Sequence, residues 1–131
     1  MIILTLVDKH LILYWRDPMR NFEDLEVWKR SCRLATRIYK TFDKCRDSGF
    51  YNQITRAAIS VASNIAEGSE RRTDKEFINF IYIAKGSLGE LRTQLYSANR
   101  IGYIPDSSRR ELVTEAKELS SMLFGLIRKL E

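Results

Sequence analysis

The sequence predicts an all-α fold, an antiparallel up-down-up-down four-helix bundle. Apolar residues recur at alternating steps of three and four along four long segments, the spacing at which helices pack near 20° in a bundle. No segment shows the sustained apolar-polar alternation of a strand between turn signals. Short breaks separate the four segments, so we expect neighbouring helices to be antiparallel.

The N-terminal region lies outside this pattern. Its two apolar runs, 2–7 and 11–15, are separated by charged residues, and neither is long enough for a membrane span. There is no basic start followed by a small-residue cleavage site. We therefore divide the chain into an N-terminal appendage, 1–21, whose order the sequence leaves open, and a four-helix bundle domain, 22–131.

The first two helices are predicted from their apolar stripes. The first stripe consists of Leu25, Trp28, Cys32, Ala35, Tyr39 and Phe42. The second consists of Ile54, Ala58, Val61 and Ile65. Ser48 and Gly49 are predicted to break the chain between these helices. Gly68 follows the second stripe and is predicted to take the left-handed position just past a helix end.

A polar stretch, residues 63–77, separates the second stripe from the third. We interpret it as a joint between helices rather than a catalytic loop or a ligand cradle. Thr73 and Glu76 have the spacing of a capping box in front of the third stripe, and Gly102 is predicted to end that helix. The third stripe consists of Phe77, Ile81, Ala84, Leu88, Leu91, Leu95 and Ala98.

The fourth helix is predicted to follow a cluster of start signals. Pro105, Asp106 and Ser107 favour the beginning of a helix, and Ser108 with Glu111 has the spacing of a second capping box. Its stripe consists of Leu112, Ala116, Leu119, Leu123, Leu126 and Leu130.

Composition argues against an enzyme. The chain of 131 residues has one histidine, His10, and two cysteines, too few for a His-based triad or a structural zinc site. No phosphate-binding glycine motif is present. We therefore expect no catalytic activity, no metal and no cofactor; Glu67 and Glu90 are the acids on which a small enzyme would depend. Two cysteines in a chain of this size also predict a reduced, cytoplasmic protein.

Basic residues form a ridge on the first helix, opposite its apolar stripe. The net charge of the chain is +5, which permits an acidic partner without requiring one. Bases toward the end of a helix also complement its dipole, so the ridge has a structural interpretation as well as a phosphate-binding one. With two arginines of the third helix, the predicted nucleic-acid-binding residues are Lys29, Arg33, Arg37, Lys40, Lys44, Arg92 and Arg100.

A second surface is notable for its lack of charge. The outer face of the third helix and one flank of the second carry small, aromatic and uncharged residues, whereas a solvated helix face normally carries charges. A further packing partner, a second copy of the chain, would use such a face. The predicted oligomer interface consists of Ala57, Ser60, Asn64, Tyr82, Gly86, Gly89, Thr93 and Ser97.

Three segments carry a resemblance to a known family. They read FEDLEVWKRS, QITRAAISVASNIAEGSERRTDKEF and AKGSLGELRTQLYSANRIGYI. From about Phe22 onward the chain resembles the bacterial four-helix bundle proteins encoded in intervening sequences of large-subunit ribosomal RNA genes, once labelled a small-subunit ribosomal protein. The resemblance implies a ring-like homopentamer. The family is similar to the accessory protein of diversity-generating retroelements, which works with a reverse transcriptase and nucleic acid. No biochemical activity is established for the family itself.

Matching positions carry the polar residues of the family signature. The chain departs from the family pattern at Ala62, Glu70 and Arg92, where proline, glycine and an acid are common. Arg92 makes the third helix more basic. Residues of this set on the second helix are predicted to bridge to Glu90 or Gln94, within a subunit or across an interface. The signature residues are Arg56, Ser63, Asn64, Glu67, Lys75, Glu76, Ser87, Glu90 and Gln94.

Two function classes remain open from the sequence. The first is a non-enzymatic homo-oligomeric bundle that binds RNA or DNA through basic surface residues. The second is a scaffold that binds a reverse transcriptase or another protein, with no direct nucleic-acid contact and basic residues that only keep it soluble. No membrane partner is expected.

Overall fold

Four α-helices follow one another along the chain, and each packs antiparallel against the next. The computed structural model describes residues 21–131. The predicted all-α, up-down-up-down four-helix bundle is confirmed, and α1 also contacts α4, which closes the bundle. The predicted appendage lies outside the described residues except for Asn21. A 3₁₀ turn at Phe22–Asp24 precedes α1 (Glu26–Thr41), α2 (Ser48–Ser69), α3 (Asp74–Arg100) and α4 (Asp106–Leu130).

Helix α3 forms the centre of the bundle. Every residue of its predicted stripe, from Phe77 to Ala98, is 0% exposed. The predicted stripe of α2 is buried throughout, and that of α4 is buried except for Leu130, which is half-buried. Truncating one such buried leucine to alanine costs about 2–5 kcal/mol. Apolar burial around α3 therefore holds its two neighbouring helices in place.

The core face of α1 is rotated by about one residue from the predicted stripe. Tyr39 lies on that stripe yet is 41% exposed. Trp28 is half-buried and packs on Phe22, with ring centroids 5.1 Å apart. Two adjacent rows of α1 carry apolar side chains, so spacing alone does not separate them. The row that enters the core contains Val27, Leu34 and Ile38.

Two predicted breaks prove to be helical. Ser48 and Gly49 form the first turn of α2, and the side chain of Asp47 caps this helix by accepting a hydrogen bond from the Phe50 N–H. Gly68 lies inside α2 with a right-handed backbone. A Cβ at position 68 would stand 2.6 Å from the Cβ of Phe80. Glycine is therefore required there by the close approach of α3, not by a turn.

The ends of α3 agree with the sequence. Thr73 accepts a hydrogen bond from the Glu76 N–H at 3.1 Å, which confirms the predicted cap. At the other end Gly102 has φ of +85°. The Gly102 N–H donates to the Asn99 carbonyl and the Tyr103 N–H to the Ala98 carbonyl, which is the pattern of a Schellman ending.

Helix α4 begins at Asp106, directly after Pro105, as predicted. The predicted capping box of Ser108 and Glu111 is wrong, because both residues already lie within the helix and Glu111 instead accepts a hydrogen bond from Arg37. None of the helices in residues 21–131 has the length and apolar character needed to cross a membrane.

Candidate functional site

The arginines of the predicted basic ridge are exposed on α1, but each meets a carboxylate. Arg33 Nη2 lies 3.3 Å from a carboxylate oxygen of Glu26, and both side chains are 63% exposed. Arg37 Nη2 pairs with Glu111 on α4. Exposed pairs of this kind contribute about 0–1 kcal/mol to stability, yet they lower the net positive charge that the ridge presents.

Arg30 extends the ridge and links α1 to α4. Its Nε and Nη2 donate to the two carboxylate oxygens of Glu115 at 3.0 and 2.6 Å, and Nη2 also donates to Glu118 at 2.7 Å. The hydrogen bonds to Glu115, and then those to Glu118, raise the pKa of Arg30 above its usual value. Helix α4 thus supplies acids that neutralise α1, and a pattern taken along α1 alone does not reveal them.

The lysines of the ridge are placed differently. Lys29, Lys40 and Lys44 are exposed and form no ion pair with any residue in 21–131. Arg100 is likewise exposed, in the last turn of α3, where a cation complements the helix dipole. Of the predicted nucleic-acid-binding residues of this ridge, the lysines therefore carry the free charge, and Lys44 lies beyond the end of α1 at Thr41 rather than on the helix.

A second basic cluster lies in the groove between α3 and α4. The groove has a volume of about 460 Å³ and is lined by Lys85, Arg92, Lys117, Ser120, Ser121 and Phe124. No carboxylate of residues 21–131 lines it. Lys85 Nζ donates to the Ser120 carbonyl at 3.1 Å and to the Ser120 hydroxyl at 2.7 Å. Burial, and then the positive charge of Arg92, lower the pKa of Lys85.

Arg92, one of the predicted nucleic-acid-binding residues, lies in this groove. Its Nε is buried and has no hydrogen-bond partner among the described residues. Lys85 and Lys117 are absent from the predicted site residues. One sequence signal was present for the first of them, because Lys85 and Arg92 are seven residues apart and so lie on one face of α3, about 10 Å apart along its axis. The place of Lys117 depends on the register of α4 against α3, which no single-helix pattern contains.

Exposed aromatic rings lie next to cations on α3 and α4, one of them, Phe124, in the groove. Phe124 is 47% exposed, with Lys85 Nζ 5.8 Å and Arg128 Cζ 5.9 Å from its ring centroid. Tyr96 on α3 is 42% exposed, and Arg109 of α4 lies 5.5 Å from its centroid. Cations interleaved with exposed rings along one groove are typical of surfaces that bind nucleic acid.

The predicted signature residues partly converge between α2 and α3. Ser60 donates to Ser87 across the two helices at 2.6 Å. Arg56 and Glu90 line the same groove, which has a volume of about 460 Å³. No hydrogen bond joins either to the other or to Gln94 within residues 21–131. Gln94 is buried, and its Oε1 has no partner in that part of the chain.

The remaining signature residues do not form part of this groove. Ser63 is exposed on α2, and Glu67 pairs with Arg71 at 3.1 Å one turn later. Lys75 and Glu76 occupy the first turn of α3. The polarity of the joint between α2 and α3 is therefore accounted for by local pairing and capping.

The predicted oligomer interface divides into two parts. On α2, Ala57 is buried in the core, and Asn64 donates to the Ser60 carbonyl at 2.8 Å. These contacts within the chain explain the small flank of α2, so Ala57 offers no surface to a partner. Gly89 is half-buried on α3. The other α3 members are exposed: Tyr82, Gly86, Thr93 and Ser97.

Metal-ligand clustering is absent from the described part of the chain, where no three His, Cys, Asp or Glu side chains come together. Cys32 and Cys45 are free thiols. Burial raises the pKa of Cys32, which keeps that thiol in its less reactive protonated form.

Comparison with known proteins identifies a family by sequence and a similar fold among solved structures. The model of the 23S rRNA-intervening sequence protein family matches residues 23–125. The structure is similar to that of a protein with unknown function from the S23 ribosomal protein family of Bacteroides thetaiotaomicron, with a TM-score of 0.72 and 26% sequence identity over 77% of this chain and 97% of that chain. No curated protein matches the chain in sequence.

Proposed function

The chain belongs to the 23S rRNA-intervening sequence protein family, and we propose that it is a non-enzymatic, homo-oligomeric bundle that associates with RNA or DNA through basic surface residues. One observation carries the proposal: the α3–α4 groove gathers Lys85, Arg92 and Lys117, and no carboxylate of residues 21–131 lines it. Most folded proteins distribute acids among surface bases. A cluster without them attracts polyanions.

The two basic surfaces are expected to contribute unequally. On α1, Arg33 and Arg37 already have carboxylate partners, so a phosphate must compete with those pairs. In the α3–α4 groove, Arg92 and Lys117 have none within residues 21–131. The groove is therefore proposed as the main contact surface, with the α1 lysines as a secondary one.

Self-association supports the same proposal. The exposed face of α3 carries Tyr82, Gly86, Thr93 and Ser97, with Glu90 as the charged residue between Gly86 and Thr93, and these four uncharged residues suit a contact with a second copy of the chain. Each added copy repeats the α3–α4 groove. Several grooves on one assembly raise the avidity for a long polyanion by linking its binding events.

The scaffold alternative has its own supporting observation. Ile59 on α2 and Ile83 on α3 are 44% and 51% exposed, and Tyr82 is 50% exposed. Apolar side chains of this size at the surface suit a protein partner. Such a partner would use α2 and α3 and would leave the basic groove unused.

A salt titration separates the two functions. Fluorescence anisotropy with a labelled RNA and a labelled duplex DNA is expected to detect binding at low salt. The affinity should fall steeply with salt, with roughly 0.7–0.9 of log–log slope for each neutralised phosphate. Because point charges carry no base readout, affinity should be similar across sequences. Undetectable binding at low salt would favour the scaffold.

Two double variants with the same charge change identify the surface. Arg92→Gln with Lys117→Gln removes two charges from the groove, and Arg33→Gln with Arg37→Gln removes two from α1. We expect the groove variant to lower the salt slope more than the α1 variant does, by up to about 0.7–0.9 for each phosphate that the groove no longer neutralises. The opposite order would place the contact on α1.

A further inference from the structure

The α3–α4 groove holds three cations in an arrangement that residues 21–131 leave without a counter-charge. Lys85 and Arg92 lie two turns apart on α3, and Lys117 faces them from α4. The acid next to Lys117 on α4, Glu118, lies in the adjacent groove with Arg30 and accepts a hydrogen bond from it. We propose that this groove is a seat for one phosphate group.

Without an anion, the cluster of cations in the groove destabilises the folded chain. Like charges in a partly buried site repel one another, and burial removes the water that would screen them. Arg92 Nε is also buried and has no hydrogen-bond partner within residues 21–131, and such an orphaned donor costs stability. Burial and Arg92 lower the pKa of Lys85. An oxyanion would relieve all three effects at once, because it supplies negative charge and acceptor oxygens.

The side chains that line the groove offer hydrogen-bond donors to an anion. An ammonium group has three donors, and Lys85 uses two of them on Ser120, so one is left for a ligand. Arg92 offers a guanidinium fork, which matches the geometry of phosphate oxygens. Ser120 and Ser121 add hydroxyls that can donate to the same group. With several donors and no carboxylate among the lining side chains, the groove selects an anion.

The size of the groove accommodates a phosphate that is part of a larger molecule. Its volume of about 460 Å³ lies within the range of small-molecule sites. Lys117 and Phe124 are exposed at its rim, so the bound group can continue into solvent. The phosphate can therefore be free, or can belong to a nucleic-acid strand. The phosphate site does not depend on the proposed function; only the assignment of the phosphate to a nucleic-acid strand does.

The seat itself is tested with inorganic phosphate. Calorimetric titration, and thermal unfolding in phosphate against chloride at equal ionic strength and pH, are expected to show binding and a raised Tm. Phosphate also stabilises proteins by exclusion from their surface, so variants are needed. Lys117→Met removes an exposed charge that has no ion-pair partner within residues 21–131, and Arg92→Met removes the half-buried guanidinium. Each should weaken phosphate binding at least tenfold and remove most of the phosphate-specific shift in Tm.

Lys129→Met is the matched control. Lys129 is an exposed lysine of the same helix outside the groove, so this variant should keep the full phosphate effect. Arg92→Met should in addition be at least as stable as the wild type in phosphate-free buffer, because it removes an orphaned donor. Equal Tm in phosphate and chloride, or an unchanged phosphate effect in both groove variants, would overturn the seat.

Oligonucleotide titrations distinguish this inference from the proposed function. Phosphate binding that depends on Arg92 and Lys117, without oligonucleotide binding, would support the seat and reject the nucleic-acid function. Oligonucleotide binding that is unchanged in the groove variants, with no phosphate effect, would reject the seat and leave the nucleic-acid function in place.

Discussion

Gly68 of α2 and Phe80 of α3 approach so closely that any side chain at position 68 would require one of the two helices to shift. A methyl group there would stand 2.6 Å from the Phe80 Cβ and 2.9 Å from Phe77 Cδ1. The Phe80 Cβ is attached directly to the backbone, so a rotamer change cannot move it away. The joint between α2 and α3 is thus fixed by contact between a glycine backbone and an aromatic side chain.

Gly68→Ala should therefore destabilise the bundle, although alanine is the better helix former. Overpacking costs about 1–3 kcal/mol, and the helix propensity of alanine returns up to about 1 kcal/mol. We expect a net loss of about 1–2 kcal/mol in the free energy of unfolding, measured by urea denaturation.

The control for this prediction is Gly125→Ala on α4. A Cβ at position 125 would meet nothing within 4 Å in the described part of the chain, so only the propensity gain of about 0.5–1 kcal/mol remains. Stabilisation by both alanines would show that α3 can move away from α2.

The bridge from Arg30 to Glu115 and Glu118 predicts a second stability difference. Arg30 and Glu115 are each about one-quarter exposed, so their bidentate pair lies between an exposed bridge and a buried one. Arg30→Met should cost roughly 1–2 kcal/mol, because it leaves two carboxylates without their donor.

Arg33→Met, three residues further along α1, provides the comparison. Its pair with Glu26 is exposed on both sides, so the change should stay within about 0.5 kcal/mol. Both variants are to be measured in low and in high salt. Equal losses for Arg30→Met and Arg33→Met would contradict the assignment of Arg30 as the link between α1 and α4.

The sequence alone predicts the buried face of a helix that has only one possible apolar row. On α3 no alternative row competes with the one from Phe77 to Ala98, and all of it is buried. On α1 two rows are apolar, and only the positions of α2 and α4 choose between them. The same limit applies to Gly68. Glycine is needed there because a neighbouring helix approaches closely, whereas glycine is needed at position 102 because of its local backbone conformation.

The basic surfaces show the same limit in their electrostatics. Spacing along α1 identifies the ridge but not Glu111 or Glu115, which reach it from α4. Lys117 reads as an ordinary surface lysine on its own helix. It becomes part of a cluster only because the register of α4 places it opposite Lys85 and Arg92.

The contact between Asp47 and Tyr103 predicts a pH dependence at the end of the bundle. The Phe50 N–H, and then the Tyr103 hydroxyl, donate to the Asp47 carboxylate and lower its pKa. A lowered pKa in the folded state gives stability that is complete above the ordinary value near 3.9 and is lost as pH falls through the folded value.

Asp47→Asn isolates this effect, because asparagine caps helices about as well as aspartate but does not titrate. The wild type should be more stable than the variant at pH 7, and the difference should shrink as pH falls below about 4. Asp106, whose pKa is lowered chiefly by Arg109, is common to both proteins and cancels. In Tyr103→Phe, which lacks one of the two donors, the same substitution should have a smaller effect. A difference independent of pH would contradict the assignment.

Assembly through the exposed face of α3 gives the last prediction. The protein should sediment at micromolar concentration as an oligomer, above the 15.3 kDa of one chain. Gly86 and Ser97 are exposed, and a Cβ at position 86 would meet nothing within 4 Å among residues 21–131. Gly86→Arg or Ser97→Arg should therefore leave the fold intact and break the assembly, because each places a large charge in an uncharged contact.

Gly86→Ala separates the effect of a substitution on the stability of α3 from its effect on assembly. Within one chain it should stabilise α3 by about 0.5–1 kcal/mol, as Gly125→Ala should stabilise α4. At an interface where two helices approach closely, the added methyl group would also weaken association, whereas Gly125→Ala on α4 would not. Sedimentation equilibrium of both alanine variants, with helicity followed by circular dichroism, separates the two effects. A wild type with the mass of one chain, or an oligomer unchanged by Gly86→Arg and Ser97→Arg, would exclude this face as the contact.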